Sequence, residues 1–233
     1  MQVTNMNWMD IQTSIEKNPK CVLPIGSTEQ HAQLSVCVDM ILAEKISIEA
    51  AEPLGIPVFP VMPYGCAPYF SAYPGTISLR VETLISVIRD IVISFQKSGF
   101  KQILIVNGHG GNNPISSLAQ ELMSEHSNIS IKFHNWWNAP KTWAKVQNTD
   151  KSGSHANWME NFPWTRLAHA PSPEGKKSNI DLDLMKVSSP EKVKEMLEDG
   201  SLGGPWQRSD EEMFDIWNSG VKETREALIG TWP

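Results

Sequence analysis

Two short polar stretches of the chain carry residue types that bind metal ions, and each follows an apolar run that is typical of a buried strand. Glu29 and His31, with Asp39 just beyond, follow the first run, and His109 follows the second. In an open parallel sheet, ligands bind at the edge where the carboxyl ends of the strands meet. We therefore expect these two carboxylates and two imidazoles to lie close together. Such a mixture of ligands suits divalent Zn, Mn or Fe, which indicates a metal-dependent hydrolase.

Three of these residues also have ordinary structural interpretations. Asp39 begins a predicted helix, where its carboxylate could cap the N-terminus. Glu29 and His31 could stand in a solvated turn. Their spacing of two on extended backbone, however, places both side chains on the same face. The combination with a second histidine after another strand favours a metal site over these separate interpretations.

His109 lies in a glycine-rich turn between a strand and a helix. We expect the neighbouring Gly108, Gly110 and Gly111 to permit positive φ angles and a close backbone approach. A phosphate-binding turn at a helix N-terminus is the alternative. The turn lacks both the G-x-G-x-x-G pattern and a following Lys-Ser/Thr pair, so a nucleotide site is disfavoured.

A third polar segment contains His155 and Glu160. A histidine beside a glutamate is usually a surface feature. This pair gains interest because two metal ions need more ligands than the two earlier stretches supply.

The segments that must position these residues alternate between strand and helix. We predict strands over 21–25, 57–62, 102–106 and 129–133, and helices over 39–53, 81–98, 114–126, 189–199 and 209–228. This alternation is typical of βαβ units and a mainly parallel sheet, and so of the α/β class. We expect a single domain over 1–233, with a loop-rich segment at about 138–180 above the active-site edge and a turn at 203–206.

Composition excludes several other classes of protein. The chain has 233 residues, of which 40% are hydrophobic and 20% charged, and its formal net charge is −6. This charge argues against a nucleic-acid surface or an anionic membrane surface as partner. The three cysteines show no C-x-x-C spacing, and the first residues lack the features of a signal peptide. No apolar run reaches the length of a membrane span, so we expect a cytoplasmic protein.

Six segments make the chain resemble the creatininase (creatinine amidohydrolase) family, and they occur in the family's order within about 20–170. They are 23–31, 63–65, 73–79, 107–112, 136–137 and 155–160. The resemblance implies a three-layer α/β/α Rossmann-like fold and a site for two divalent metal ions. It also implies a homo-oligomer, a hexamer built as a trimer of dimers.

The resemblance also implies a role for each matching residue. The implied metal ligands are Glu29, His31, Asp39, His109 and Glu160. Asp39 would bridge the two ions, and Glu160 would supply the carboxylate that creatininase takes from the position of Gly111. His155 matches the catalytic histidine, which binds the substrate and passes a proton to the leaving nitrogen. We count Glu160 with it among the catalytic residues.

The pocket is where the chain departs from the family pattern. Its loop over 32–38 is one residue shorter and lacks a second histidine, and Trp158 stands at an acidic position. No acidic residue follows the Tyr64–Gly65 pair. We predict contacts to the substrate from a set comprising Tyr73, Gly110, Gly111, Trp137 and Trp158. Arg166 could contact an anionic group, although a structural ion pair is the simpler interpretation.

These observations predict an amidohydrolase that cleaves the C–N bond of a small, cyclic amide by means of a metal-bridging hydroxide. A creatinine-like ring, a hydantoin or a lactam would fit. A formamide hydrolase or a peptide-trimming metallohydrolase of the same family is an alternative, and a non-catalytic, metal-stabilised subunit is an alternative from another class. We expect two metal ions per chain, with Zn favoured and Mn or Fe also compatible with the ligands.

Overall fold

The computed structural model describes residues 1–233 and centres on a three-stranded parallel sheet. Its strands are β1 (Lys20–Ile25), β2 (Gln102–Asn107) and β3 (Ser130–Asn135), which lie side by side in that order. The register aligns the last residues of all three strands. The loops that leave β1, β2 and β3 therefore share one edge of the sheet.

Eight α-helices surround this sheet. They are α1 (Trp8–Lys17), α2 (Val38–Ala51), α3 (Val81–Ser98), α4 (Pro114–Glu125), α5 (Pro140–Thr149), α6 (Leu182–Lys186), α7 (Pro190–Leu197) and α8 (Asp210–Ile229). Two short strands, β4 (Lys176–Lys177) and β5 (Gly204–Pro205), form a separate antiparallel pair. None of the helices combines the length and the apolar character that a bilayer crossing requires.

Both faces of the sheet are buried, which explains why β1 and β2 are nearly continuous apolar runs. Val22 and Leu104 face one hydrophobic core, to which α2 and α8 contribute. Leu23 and Ile105 face the other core, formed with α3 and α4. This arrangement is the three-layer α/β/α architecture that the sequence predicts.

The predicted strand over 57–62 is only partly formed. This segment runs parallel to β1, but it makes isolated bridges through Val58 and Met62 rather than a continuous ladder. Pro57, Pro60 and Pro63 lie in or beside it, and proline has no N–H to donate to a ladder.

Three helices lie where the sequence pattern predicts none. These are α1, α6 and α5, and the last of them lies inside the segment at 138–180 that we expected to be loop-rich. The rest of that segment is irregular apart from short 3₁₀ and strand pieces. The predicted turn at 203–206 contains β5.

Candidate metal centre

Six side chains predicted for the site converge at the carboxyl edge of the sheet. They are Glu29 and His31 after β1, Asp39 in the first turn of α2, His109 after β2, and His155 and Glu160 from the segment after α5. The convergence depends on the aligned strand ends, which bring loops from distant parts of the sequence to the same place.

The six side chains form overlapping triads in which the potential ligand atoms lie within 4.8 Å of one another. Glu29, Asp39 and His109 form one triad, His31, Asp39 and Glu160 form a second, and Glu29, His31 and His155 form a third. Asp39 belongs to the first two, in which its Oδ1 lies 3.2 Å from His31 Nε2 and its Oδ2 lies 2.9 Å from His109 Nδ1. The two carboxylate oxygens therefore face two different histidines.

The oxygen and nitrogen atoms of these triads are arranged as ligands of a metal ion rather than as partners in hydrogen bonds with one another. Both carboxylate oxygens of Glu29 and Nε2 of His31 are buried without a hydrogen bond. Oε1 of Glu29 makes no hydrogen bond even though it lies only 3.2 Å from Nδ1 of His109. Ligand atoms at about 2.0–2.2 Å from a tetrahedral ion lie about 3.3–3.6 Å apart. The spacing and the missing hydrogen bonds together are those of ligands directed at a shared central point.

Hydrogen bonds from outside the triads orient the ligands. His31 donates from Nδ1 to the Glu29 carbonyl oxygen at 3.1 Å, which leaves Nε2 free to coordinate. His109 donates from Nε2 to the Cys66 carbonyl oxygen at 2.8 Å, which leaves Nδ1 free. The Ser27 hydroxyl donates to Asp39 Oδ2 at 2.9 Å. Such outer partners fix the tautomer and the orientation of metal ligands.

Asn107 holds the backbone that carries His109. Its Nδ2 donates to the His109 carbonyl oxygen at 2.7 Å, and its Oδ1 accepts from the His109 N–H at 3.1 Å. Because Asn107 is the last residue of β2 and is fully buried, it ties the turn directly to the sheet.

Burial and the closeness of opposite charges shift the pKa values of the cluster. Burial lowers the pKa of His31, but the carboxylates of Asp39 and Glu160 outweigh it and raise that pKa to about 10. Burial raises the pKa of Glu160 to about 7. Burial also opposes ionisation of Asp39, yet His31 and His109 hold its pKa below the usual range. For His155, burial and the neighbouring His31 push the pKa well below its ordinary value. A divalent cation must therefore displace a proton from His31, and we expect its affinity to decrease as the pH is lowered.

The structure does not adopt the capping alternative for Asp39, and it shows only one of the two roles expected for the glycines beside His109. Asp39 does not cap α2, because Cys37 occupies the N-cap position and no side chain makes a capping bond there. The glycines beside His109 do not adopt positive φ angles. Gly108 instead permits a close approach, since a Cβ there would lie 2.4 Å from the Asp39 carbonyl oxygen.

A cavity of about 520 Å³ opens onto the triads. Its polar floor includes Glu29, Asp39, His109, His155 and Glu160, and Gly110 and Gly111 also line it. The walls are largely apolar and aromatic, with Tyr69, Phe70, Val81, Trp137, Trp143 and Met159. No lysine or arginine is among the lining residues.

Two predicted substrate contacts, Trp158 and Tyr73, are wrong, because these residues lie outside the cavity. Trp158 is fully buried in the hydrophobic core, and its Nε1 donates to the Ser152 hydroxyl at 3.3 Å. Tyr73 directs its hydroxyl to the carbonyl oxygens at the end of α7. Arg166 pairs with Asp210 at 2.7 Å, so the structural interpretation of this arginine is the better one.

Sequence reasoning missed several residues that shape the site. Phe70 stacks on the His155 ring at 4.5 Å between centroids, and Gln30 contacts His155 Nε2 at 2.9 Å. Gln30 stands between two predicted ligands, which is a signal that could have drawn attention to it. Nothing in the pattern around Phe70 distinguishes it from a core residue.

Comparisons with known proteins place the chain among creatininases. A family model for creatininase, described as creatinine amidohydrolase, matches residues 4–228. Creatinine amidohydrolase of Pseudomonas putida is 29% identical over 119 residues, which cover 48% of this chain and 45% of that protein. A 3-dehydro-scyllo-inosose hydrolase of Thermotoga maritima is 27% identical over 107 residues, which cover 45% of this chain and 34% of that protein. The matched part thus spans less than half the length of these curated relatives.

Solved structures share the fold over nearly the whole chain. A crystal structure of creatinine amidohydrolase has a TM-score of 0.79 at 20% identity, and the match covers 97% of this chain and 96% of that one. Two further creatininase structures, one of a mutant of Zn–Zn type and one of a Mn form, each have a TM-score of 0.77.

Proposed function

Because the chain belongs to the creatininase family, we propose that it is a hydrolase that cleaves the C–N bond of a small cyclic amide at a two-metal site. The shared position of Asp39 is the observation that carries this proposal. Its two oxygens face histidines of different triads, at 3.2 Å and 2.9 Å. A structural site for a single ion needs no such sharing, whereas a pair of ions about 3.5–4 Å apart does.

The ligand assignment is based on the two triads that contain Asp39. Glu29 and His109 would hold one ion, His31 and Glu160 the other, and Asp39 both. Zn is the favoured metal because carboxylate and imidazole ligands suit it, and Mn or Fe would also fit. When bound, two such ions would polarise the amide carbonyl and lower the pKa of water to roughly 7. The two oxygens of Glu29 and Nε2 of His31, which are buried without a hydrogen bond, support this assignment.

His155 is the residue that we propose touches the substrate and delivers a proton. Its ring lies between Phe70 and His31, with centroid distances of 4.5 Å and 4.4 Å. Its Nδ1 lies 3.6 Å from Glu29 Oε1, at the floor of the cavity. Hydrolysis adds the hydroxyl of water to the carbonyl carbon and a proton to the nitrogen. His155 is positioned to hold the substrate and to pass that proton to the leaving nitrogen.

The cavity supports a neutral, flat and partly apolar substrate. Its volume of about 520 Å³ is within the range of small-molecule sites. Trp137 and Trp143 offer flat apolar surfaces, whereas a phosphate or carboxylate group would find no cationic side chain in the lining. A creatinine-like ring, a hydantoin or a lactam meets these conditions better than a nucleotide-derived formamide does.

Three further features of the protein are also proposals. These are a single catalytic domain over 1–233, a cytoplasmic location, and a homo-oligomer assembled as a trimer of dimers. A non-catalytic, metal-stabilised subunit is the competing proposal. The solvent-accessible cavity above the triads favours an enzyme, because a structural ion has no need of open space beside it.

The test is hydrolysis of creatinine, hydantoins and lactams by the purified protein, with and without a chelator. We expect chelator-sensitive turnover of one ring class, which returns when Zn or Mn is added. His155→Asn should keep the bound metal and lose this turnover. Metal bound to a protein that hydrolyses no cyclic amide, formamide or peptide would favour the non-catalytic alternative.

A further inference from the structure

Gln30 lies between two predicted metal ligands in the sequence, and its own side chain is almost fully buried. Its Nε2 lies 2.9 Å from His155 Nε2 and donates to the Gly200 carbonyl oxygen at 2.9 Å. Its Oε1 accepts from the Ala32 N–H at 3.2 Å. Each polar atom of this amide therefore has a partner, and the partners come from three separate parts of the chain.

The two backbone partners determine which way the amide of Gln30 is oriented. In the reverse orientation, its oxygen would face the Gly200 carbonyl oxygen and its nitrogen would face the Ala32 N–H. Both contacts would then be repulsive, acceptor against acceptor and donor against donor. Nε2 of Gln30 must therefore face His155, and because both of its hydrogens are donors, His155 Nε2 must accept.

The geometry points to Gln30 as a positioning residue that fixes the tautomer of His155, so that the ring carries its hydrogen on Nδ1 and presents it to the substrate. Nδ1 is the ring nitrogen nearer the triads, at 3.6 Å from Glu29 Oε1. The inference rests on the proposed hydrolase function, and it names the atom through which His155 acts. Phe70, stacked nearly parallel on the ring at 8°, limits its rotation away from this orientation.

A loop far along the sequence completes this arrangement. Gly200 has a φ of +100°, and a Cβ at this position would lie 1.7 Å from Gln30 Oε1. Glycine thus lets the loop approach the amide closely. Lys177 in turn binds this loop, with Nζ 2.6 Å from Asp199 Oδ1 and 3.1 Å from the Ser201 carbonyl oxygen. The loop whose Gly200 carbonyl oxygen accepts from Gln30 is therefore itself held in place by Lys177.

The experiment compares Gln30→Glu, Gln30→Met and the wild type, all loaded with zinc, by ¹⁵N NMR of histidine-labelled protein. The chain has six histidines, so His155→Asn identifies the signal of His155. In the wild type we expect the hydrogen on Nδ1. Gln30→Glu replaces the donor by an acceptor of the same shape and should move the hydrogen to Nε2. Gln30→Met should leave a mixture of the two tautomers.

Kinetics on the amide that the wild type hydrolyses provide the second readout. Gln30→Glu should lower kcat by about a hundredfold, as loss of one oriented donor does, while the zinc content stays unchanged. Gln120→Met, at an exposed glutamine of α4, is the matched control and should leave both readouts unchanged.

The tautomer measurement needs no substrate, so it separates this inference from the proposed function. A wild-type His155 with its hydrogen on Nε2 would overturn the inference even if the protein hydrolyses an amide. The same conclusion would follow if Gln30→Glu kept both the wild-type tautomer and the wild-type kcat. If no amide is hydrolysed, the proposed function fails, while the NMR comparison still tests the role of Gln30.

Discussion

Removal of the Ser27 hydroxyl tests whether Asp39 acts as the shared ligand. Ser27 is fully buried, and its Oγ donates to Asp39 Oδ2 at 2.9 Å. This is the oxygen that also faces His109 at 2.9 Å. Ser27→Ala deletes one oriented hydrogen bond and leaves every proposed ligand in place.

The expected magnitudes follow from that single bond. Loss of an outer hydrogen bond to a metal ligand weakens metal affinity by about 10–100-fold, or about 1.4–2.8 kcal/mol. In the metal-free protein, loss of a hydrogen bond to a charged group should lower the free energy of unfolding by about 1.5–3 kcal/mol. Both changes have the same cause, since Ser27 fixes the orientation of the Asp39 carboxylate.

Ser47→Ala is the matched control for Ser27→Ala. Ser47 is also fully buried, but its hydroxyl donates to the Ala43 carbonyl oxygen within α2, at 2.7 Å. It lies eight residues beyond Asp39 in the sequence, or about 12 Å along the helix. Its loss should lower the free energy of unfolding by about 0.5–1.5 kcal/mol and leave metal affinity unchanged.

Zinc affinity can be measured by competition with a chromophoric chelator, and unfolding by urea titration in the presence of EDTA. We expect only Ser27→Ala to weaken zinc binding. Equal zinc affinities for Ser27→Ala, Ser47→Ala and the wild type would contradict the role of Ser27 in orienting a metal ligand. Asp39 would then either not bind metal or not depend on Ser27 for its orientation.

Three further predictions concern catalysis, substrate binding and acid stability. His155→Asn should lower kcat by about 10²–10⁴-fold at unchanged metal content, as loss of a proton-transferring group does, and steady-state kinetics with metal analysis check this. Trp143→Ala and Trp137→Ala should each raise KM by about tenfold through lost apolar contact, whereas Trp8→Ala, at a tryptophan 72% exposed on α1, should leave KM unchanged. Burial lowers the pKa of His134 to about 4, whereas a histidine of the unfolded chain titrates near pH 6.5. The buried neutral ring therefore makes its full contribution to the free energy of unfolding above about pH 6.5, and this contribution is lost as the pH falls towards 4. Urea titration of metal-free protein at the two pH values should show a loss of stability on acidification that is about 3 kcal/mol larger in the wild type than in His134→Gln, because the other titrating groups are common to both proteins, and equal losses would contradict this assignment.

The parts of the fold that the sequence predicts are those with strong periodicity. The helix over 81–98 is predicted at its observed bounds because its apolar stripe is long and ends at Gly99, which has a φ of +106°. The sequence pattern predicts no helix at α1, although Asn7 and Asp10 form a capping box that gives a local signal. The segment 57–62 has a strand's apolar composition, but prolines in and beside it prevent a regular ladder.

The candidate site was predictable where it depends on strand ends and not where it depends on side-chain direction. Glu29 and His109 follow apolar strands, so their closeness followed from topology alone. Trp158 and Trp143 cannot be distinguished by residue type, and only the fold shows that the first packs in the core while the second lines the cavity. The partnership of Gln30 with the distant loop at Gly200 involves a contact that no local pattern reveals.

Anomalous diffraction from crystals grown with zinc would show whether Asp39 is shared between two ions. Data collected on both sides of the zinc absorption edge locate each ion without reference to activity. We expect two peaks flanking Asp39, one beside Glu29 and His109 and the other beside His31 and Glu160. A single peak, or peaks that leave Asp39 without contact to both ions, would contradict the shared two-metal site.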